Sequence, residues 1–354
     1  MLWGLRRQTS EANMFGRSGL LLGALLTLLA LSPGVSDAGT LDKVKERGSV
    51  QCGVNRSGQG LSSVNAAGEW TGFFVDFCRA VAAATLKSAS AVEFVELNQR
   101  TRFDATRDGA VDLFSANTTW TLTRDASMGL QFAATLYYDG QGFIAPTSLS
   151  ARKLKDLKQA SVCVTGNTTT ESNLAEYIKV NRLDFKITTL TSNDSAVSAF
   201  LSRRCDLYTT DRLALAGLRT SGTSKPDDYF IFSEIISKEP LGPVVRSDDT
   251  AWFTIVKWVA YAMIAAEEKG IASTNLARMR DSSDAEIRRL LGVDPGLGKA
   301  LGLDETWAAR VIEQVGNYGE MFERNLGTGS PLHLDRGVNA LWTNGGLMYA
   351  PPLR

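Results

Sequence analysis

The sequence is poor in histidine: His333 is the only one among 354 residues. A single imidazole excludes a metal site built from several histidines. A Ser-His-Asp triad would have to rest on this one residue near the C-terminus, so we expect no such triad. Basic charge is not in excess either, since 38 Lys and Arg balance 38 Asp and Glu. Binding of nucleic-acid phosphates needs such an excess. We therefore expect no metal ion, no other cofactor and no nucleic-acid partner.

The N-terminal region lacks an apolar run long enough to span a bilayer. Its longest run, residues 19–31, has 13 residues, whereas a spanning helix needs about 20. Basic residues precede the run, and small residues at Ser36 and Ala38 suit signal cleavage. We expect residues 1–38 to be a signal peptide cleaved after Ala38, which places the mature protein in the periplasm. An uncleaved anchor is the alternative, and the start at Met1 or Met14 stays open.

Cysteine is scarce, and no pair has the CxxC spacing of a zinc or dithiol redox site. The four cysteines are Cys52, Cys78, Cys163 and Cys205. An even number in an exported protein indicates disulfides. Three pairings are formally possible. We expect the sequential pairing, Cys52–Cys78 and Cys163–Cys205, which puts one bridge in each half of the chain.

Two stretches of the mature chain repeat the order strand, helix, strand, helix, strand. They cover residues 50–115 and 161–209, and this alternation predicts two parallel-sheet α/β lobes. Extended segments between and after the two stretches predict two hinge strands that join the lobes. We place the first lobe at residues 39–138 and 240–354 and the second lobe at residues 139–239.

The chain becomes helical from about residue 251. An apolar stripe at helical spacing predicts a helix that packs in the core. The stripe consists of Trp252, Ile255, Val256, Val259 and Met263. Residues 292–354 form a C-terminal extension, helical near 307–314, which we expect to pack on the first lobe.

Polar residues follow the strands of both repeats. In open α/β sheets, ligands bind outside the carboxyl ends of the strands. Arg124 offers a planar fork of donors for a carboxylate. Thr168 and Thr169 lie at the start of a helix, where free N–H groups favour an anion, and Asp211 can accept from an ammonium group. Together they predict a receptor for a zwitterion. The alternative is that Thr and Arg cap helices while Asp211 pairs with a surface lysine.

Longer motifs carry a resemblance to a known family. They are Phe103–Asp112, Asn117–Arg124, Tyr137-Tyr138, the turn at 166–170 and Asp211. Here the chain resembles the polar amino acid solute-binding proteins of ABC transporters, over nearly all of residues 40–354. The resemblance implies a type II periplasmic-binding-protein fold and a monomer without enzymatic activity. It also implies that the protein closes on an L-amino acid, with broad specificity, and delivers it to a membrane ABC permease.

The resemblance implies specific roles for the residues that match the motifs. Arg124 matches the arginine that clamps the ligand α-carboxylate, with Asn117 and Thr119 beside it. The backbone amides of Thr168 and Thr169 complete that carboxylate site from the second lobe.

Asp211 matches the aspartate that binds the ligand α-ammonium. The sequence departs from the family pattern at two places. One is the turn before the paired threonines, and the other is the surface that contacts the ligand side chain. Asn167 stands directly before the paired threonines where the family usually has glycine. Leu61 stands where many members have an aromatic platform for the ligand side chain, and Trp120 is a candidate substitute wall.

Two other functions remain open at this point. One is a periplasmic enzyme on the same scaffold, such as a dehydratase or lyase, for which Glu171 and Asp211 are the nearby acid/base candidates. The other is a sensor that presents its closed form to a signalling receptor.

Overall fold

The computed structural model describes residues 39–354, so the expected signal peptide lies outside the described residues. Within the described part, every helix is too short or too polar to span a bilayer. The strands are β1 (Val50–Val54), β2 (Ser63–Val64), β3 (Trp70–Thr71), β4 (Val92–Glu96), β5 (Leu113–Phe114), β6 (Leu130–Phe132), β7 (Tyr137–Asp139), β8 (Gln141–Pro146), β9 (Gln159–Thr165), β10 (Asp184–Leu190), β11 (Leu207–Asp211), β12 (Tyr229–Ile231), β13 (Glu239–Leu241) and β14 (Val244–Arg246). The helices are α1 (Thr40–Arg47), α2 (Phe73–Leu86), α3 (Arg102–Arg107), α4 (Leu122–Ser127), α5 (Thr169–Asn181), α6 (Asn193–Leu201), α7 (Arg212–Ser221), α8 (Thr250–Glu268), α9 (Leu276–Met279), α10 (Ala285–Leu290), α11 (Leu297–Ala300), α12 (Trp307–Gln314) and α13 (Tyr318–Asn325).

Two five-stranded sheets organise these elements. The first has the order β4–β1–β5–β14–β6, and β1 runs parallel to β4 and β5. The second has the order β10–β9–β11–β8–β12, and β9 runs parallel to β10 and β11. The expectation of two α/β lobes is confirmed.

Each sheet also contains antiparallel pairs that the alternation did not predict. β14 is antiparallel to β5 and β6, and β8 is antiparallel to β11 and β12. Strands β8 and β14 enter their sheets just after the chain has crossed from the other sheet. Each of them runs antiparallel to both strands that flank it in the sheet.

Two short strands make the crossings between the sheets. β7 leads from β6 to β8, and β13 leads from β12 to β14. They pair antiparallel with each other, with Glu239 opposite Asp139 and Leu241 opposite Tyr137. We call β7 and β13 the hinge strands, and we call the parts of the chain built on the first and second sheets the first and second lobes.

The first lobe holds a large apolar core into which the C-terminal extension is built. The apolar stripe of α8 is buried as predicted. Trp307 of α12 and Tyr318 of α13 are also buried in this core, and the Tyr318 hydroxyl donates to Leu136 O at 2.8 Å. The extension therefore packs on the first lobe. In the second lobe, separate apolar clusters cover the sheet.

Each lobe contains one disulfide. Cys52 of β1 is bonded to Cys78 of α2, and Cys163 of β9 is bonded to Cys205, which precedes β11. Each bridge thus ties a sheet strand of its lobe to a second segment of the same lobe.

Candidate functional site

Arg124 is positioned by the first turn of α4. Thr121 caps this helix, and its hydroxyl accepts a hydrogen bond from the backbone N–H of Arg124. The guanidinium is buried, with Nη1 donating to Thr119 O at 2.7 Å and Cζ lying 5.0 Å from the centre of the Phe103 ring. Burial lowers the pKa of Arg124, and the nearby carboxylates of Glu239 and Asp211 oppose that shift. A buried guanidinium of this kind favours an anionic partner.

The N-terminus of α5 faces the same cavity as Arg124 from the second lobe. Thr168 caps the helix, accepting from Glu171 N and donating to Thr165 O at 2.6 Å. The helix therefore begins at the cavity, where its dipole favours negative charge. The preceding Asn167 has φ +58°, a left-handed conformation that asparagine tolerates better than most residues. Asn167 therefore shapes the turn in the place where the family usually has glycine.

Asp211 ends strand β11 and lies buried in the second lobe. Its Oδ2 accepts from Asn117 Nδ2 of the first lobe at 2.6 Å. Burial raises the pKa of Asp211 well above its usual range, and the neighbouring carboxylates of Asp139 and Glu239 raise it further. A buried carboxyl with a raised pKa is stabilised in its ionised form by a cationic ligand group.

Six of the eight residues predicted for the ligand site line one cavity between the lobes. They are Asn117, Thr119, Arg124, Thr168, Thr169 and Asp211. The cavity therefore presents a guanidinium and a helix N-terminus for an anion, and a carboxylate for a cation.

The structure places Leu61 and Trp120 away from this cavity. Leu61, expected as the ligand platform, is fully buried in the apolar core of the first lobe and does not line the cavity. Trp120 is 40% exposed, stacks on Phe132 at 5.8 Å and faces a groove beside the hinge strands. Trp120, expected as a substitute wall, therefore does not line this cavity.

Arg102 is a cavity residue that the sequence analysis missed. It begins α3, only 4% of its surface is exposed, and its Nε has no hydrogen-bond partner among residues 39–354. Burial lowers the pKa of Arg102 to about 9, and the charge of Arg124 contributes to the shift. Helix α3 has six residues, which is too short for periodicity to tell which side chain faces inward. The cavity thus contains a second buried cation.

Glu239 of the hinge strand β13 was also missed. Its side chain is buried and accepts from the hydroxyls of Thr119 and Thr169, which belong to different lobes. These two hydroxyls lie 3.2 Å apart. Because both hydroxyls contact the same carboxylate oxygen, Glu239 holds the two threonine side chains close to each other.

The acid/base candidates considered for an enzyme have structural partners. Glu171 accepts from Asn167 N at 3.0 Å and from the Thr189 hydroxyl at 2.9 Å, so it holds the turn before α5. Asp211 accepts a hydrogen bond from the side-chain amide of Asn117. No group of three or more His, Cys, Asp and Glu side chains within residues 39–354 is arranged to hold a metal ion.

Comparison with known proteins gives matches over most of the chain. Residues 50–272 match the bacterial extracellular solute-binding proteins, family 3. The general L-amino acid-binding periplasmic protein AapJ of Rhizobium johnstonii is 47% identical over 92% of this chain and 96% of its own length. The glutamate/glutamine/aspartate/asparagine-binding protein BztA of Rhodobacter capsulatus is 46% identical over 93% of this chain and 97% of its own.

Solved structures also match most of the chain. A periplasmic binding protein of an ABC transporter from Brucella ovis, with glutathione bound, has a TM-score of 0.87 and 46% identity, covering 90% of this chain and all of that one. A cysteine-binding protein from Campylobacter jejuni has a TM-score of 0.58 at 20% identity, covering 71% of this chain and 98% of that one, and shares the fold alone.

Proposed function

Because the chain belongs to family 3 of the bacterial extracellular solute-binding proteins, with the two-lobed type II fold, we propose that it is the amino-acid-binding component of an ABC uptake transporter. The protein acts in the periplasm, closes on an L-amino acid and delivers it to the membrane permease. Under this proposal the lobes divide between residues 138 and 139 and between 239 and 240, and the protein works as a monomer. Residues 1–38 are the signal peptide removed on export.

The observation that carries this proposal is the arrangement of charges in the cavity. Arg124 and the first turn of α5 receive the ligand α-carboxylate, and Asp211 receives the α-ammonium. The ligand touches both lobes, since Arg124 belongs to the first and Asp211 to the second. A ligand that contacts both lobes favours the closed form, whereas one that contacts a single lobe would not shift the equilibrium.

The position of Arg102 indicates which amino acids the cavity prefers. It is a buried cation on the same cavity as Arg124 but without a hydrogen-bond partner for Nε within the described residues. We propose that Arg102 receives a carboxylate or amide at the far end of the ligand side chain. The name of the Rhodobacter capsulatus relative, which cites glutamate, glutamine, aspartate and asparagine, supports this preference.

A γ-glutamyl peptide is a second candidate ligand. A groove next to the cavity shares Asn117, Asn193 and Thr210 with it and extends along α7. The zwitterionic end of such a peptide would occupy the amino-acid site, and the rest would lie in the groove. The glutathione bound to the Brucella ovis protein supports this candidate.

The proposal is tested with residues 39–354, freed of co-purified ligand by unfolding and refolding. Thermal shift and calorimetry are measured with the common L-amino acids and glutathione. Because binding to the native state raises its stability, a ligand raises the melting temperature. We expect L-glutamate to bind more tightly than D-glutamate and than 2-oxoglutarate, which lacks the ammonium group. Absence of any amino-acid binding would overturn the proposal.

We also propose that the ligand is bound without chemical change. Mass spectrometry of the ligand recovered after incubation should return it unaltered, whereas turnover would identify an enzyme. Loss of amino-acid uptake on deletion of the gene, with restoration by the intact chain, separates transport from sensing.

A further inference from the structure

Glu239 occupies an unusual place for a buried carboxylate. It lies on the hinge strand β13, only 1% of its surface is exposed, and it faces Asp139 across the hinge pair. Its charge is felt at Arg124, since Glu239 opposes the lowering of the pKa of Arg124 by burial. A buried carboxylate at a hinge is costly unless its hydrogen bonds are made, so its partners indicate which hinge geometry it stabilises.

The partners of Glu239 come from both lobes. Oε2 accepts from the hydroxyl of Thr119 in the first lobe and from that of Thr169 in the second, the latter at 3.2 Å. Oε1 accepts from Asn173 Nδ2 of the second lobe at 2.8 Å and from the Ser237 hydroxyl at 2.5 Å. One side chain therefore fastens the hinge strand to the ligand-binding segments of both lobes.

The backbone next to Glu239 reinforces the link to the first lobe. Trp120 N donates to Pro240 O at 2.8 Å, and Gly242 N donates to Thr118 O at 3.1 Å. These bonds hold β13 against the segment that carries Thr119. Thr119 and Thr169 belong to different lobes, so a movement that opened the cavity would separate them, and Glu239 could no longer accept hydrogen bonds from both.

We propose that Glu239 is the positioning residue that couples the hinge to the ligand-carboxylate site, holding Thr119 and Thr169 together when the lobes close. It does not touch the ligand. Its carboxylate accepts hydrogen bonds from the hydroxyls of both threonines. The backbone groups of the threonines and the guanidinium of Arg124 are thereby left to bind the ligand. This inference rests on the proposed function, since it concerns closure around an amino acid.

The test compares the Glu239→Gln and Thr169→Val variants and the double variant with wild type, in residues 39–354. Glu234→Gln is the matched control, because Glu234 lies on the same connecting segment but accepts from Leu154 N of the second lobe. L-Glutamate affinity is measured by calorimetry, and closure is measured as the fall in radius of gyration by X-ray scattering on adding L-glutamate.

Glu239→Gln should weaken L-glutamate binding about tenfold, the order expected when hydrogen bonds to a charged group are lost. At equal ligand concentration, the radius of gyration of Glu239→Gln should fall less than that of wild type. Glu234→Gln should match wild type in both measurements. The effects of Glu239→Gln and Thr169→Val should not add in the double variant, because both remove the same link. Additive effects, or Glu239→Gln binding and closing like wild type, would overturn the inference.

Two further outcomes are distinguishable. If wild type itself binds no amino acid, the proposed function fails rather than the role of Glu239 alone. If Glu239→Gln does not fold, as judged by its melting temperature without ligand, Thr119→Val and Thr169→Val test the same link without altering the charge. Wild-type affinity and closure in both threonine variants would then overturn the inference.

Discussion

Asn117 Nδ2 donates a 2.6 Å hydrogen bond to Asp211 Oδ2 and so joins the first lobe to the second across the ligand cavity. This bond forms at the place where the ligand ammonium is proposed to bind. A carboxylate has several acceptor sites, so Asp211 can receive the amide and an ammonium group together. Under the proposed function, Asn117 thus orients the aspartate for the ligand.

Arg124→Ala should remove most of the amino-acid affinity. It would leave the ligand carboxylate buried without its guanidinium, at a cost of about 2–5 kcal/mol of binding free energy. Calorimetry should therefore show a dissociation constant roughly 30-fold to several thousand-fold higher. Arg107→Ala is the control, since Arg107 is an exposed arginine paired with Asp104. Equal affinity of Arg124→Ala and wild type would refute the assignment of the carboxylate site.

Arg102→Met should change ligand preference. L-Glutamate is expected to lose about 1.5–3 kcal/mol, the scale of a hydrogen bond to a charged group, while L-alanine loses little. The melting temperature without ligand should stay the same or rise, because the variant removes a buried charge with an unpaired Nε. Calorimetry with both amino acids measures the ratio of affinities. The proposed role of Arg102 is wrong if both affinities fall by the same factor.

Amino-acid binding should release a proton from Asp211. Burial, followed by the nearby charges of Asp139 and Glu239, raises its pKa in the ligand-free protein. A bound ammonium group stabilises the ionised form and lowers that pKa, so affinity should increase as pH rises towards the pKa of the ligand-free state. Calorimetry in buffers of different ionisation enthalpy counts the protons released. The prediction fails if Asp211→Asn and wild type show the same pH dependence.

Removal of either disulfide should lower stability. Cys52–Cys78 spans 26 residues and Cys163–Cys205 spans 42. On the chain-entropy account, loops of these lengths stabilise by about 3–4 kcal/mol each, slightly more for the longer one. Urea unfolding of the two Cys→Ser double variants measures the loss, with the fully reduced wild type expected to lose more than either. Unchanged unfolding midpoints would show that the bridges do not constrain the unfolded chain.

Much of the fold could be predicted because it depends on local periodicity. The alternation of strands and helices gave both α/β lobes, and the apolar stripe of α8 gave the core helix of the first lobe. The antiparallel strands β8 and β14 escaped prediction. Their direction depends on where the chain re-enters a sheet, and the pattern of apolar residues along a single strand does not indicate this.

The site was predictable in part for a similar reason. Arg124, Thr168 and Asp211 follow strands or start helices, and such positions converge at one edge of a sheet. The sequence did not indicate that Leu61 and Trp120 lie outside the cavity, because an apolar residue in a loop can pack inward or face a ligand. Only the packing of α2 and β6 around them decides which.

The sequence by itself determined the two lobes and the residue types for a zwitterion, since both follow from local pattern and motif. The tertiary structure alone decided that Arg102 is a second buried cation in the cavity and that Glu239 accepts hydrogen bonds from both lobes. Burial and cross-lobe hydrogen bonds depend on how segments far apart in the chain approach one another. Arg102 and Thr169 are 67 positions apart in the sequence and reach the same cavity only when the two lobes meet.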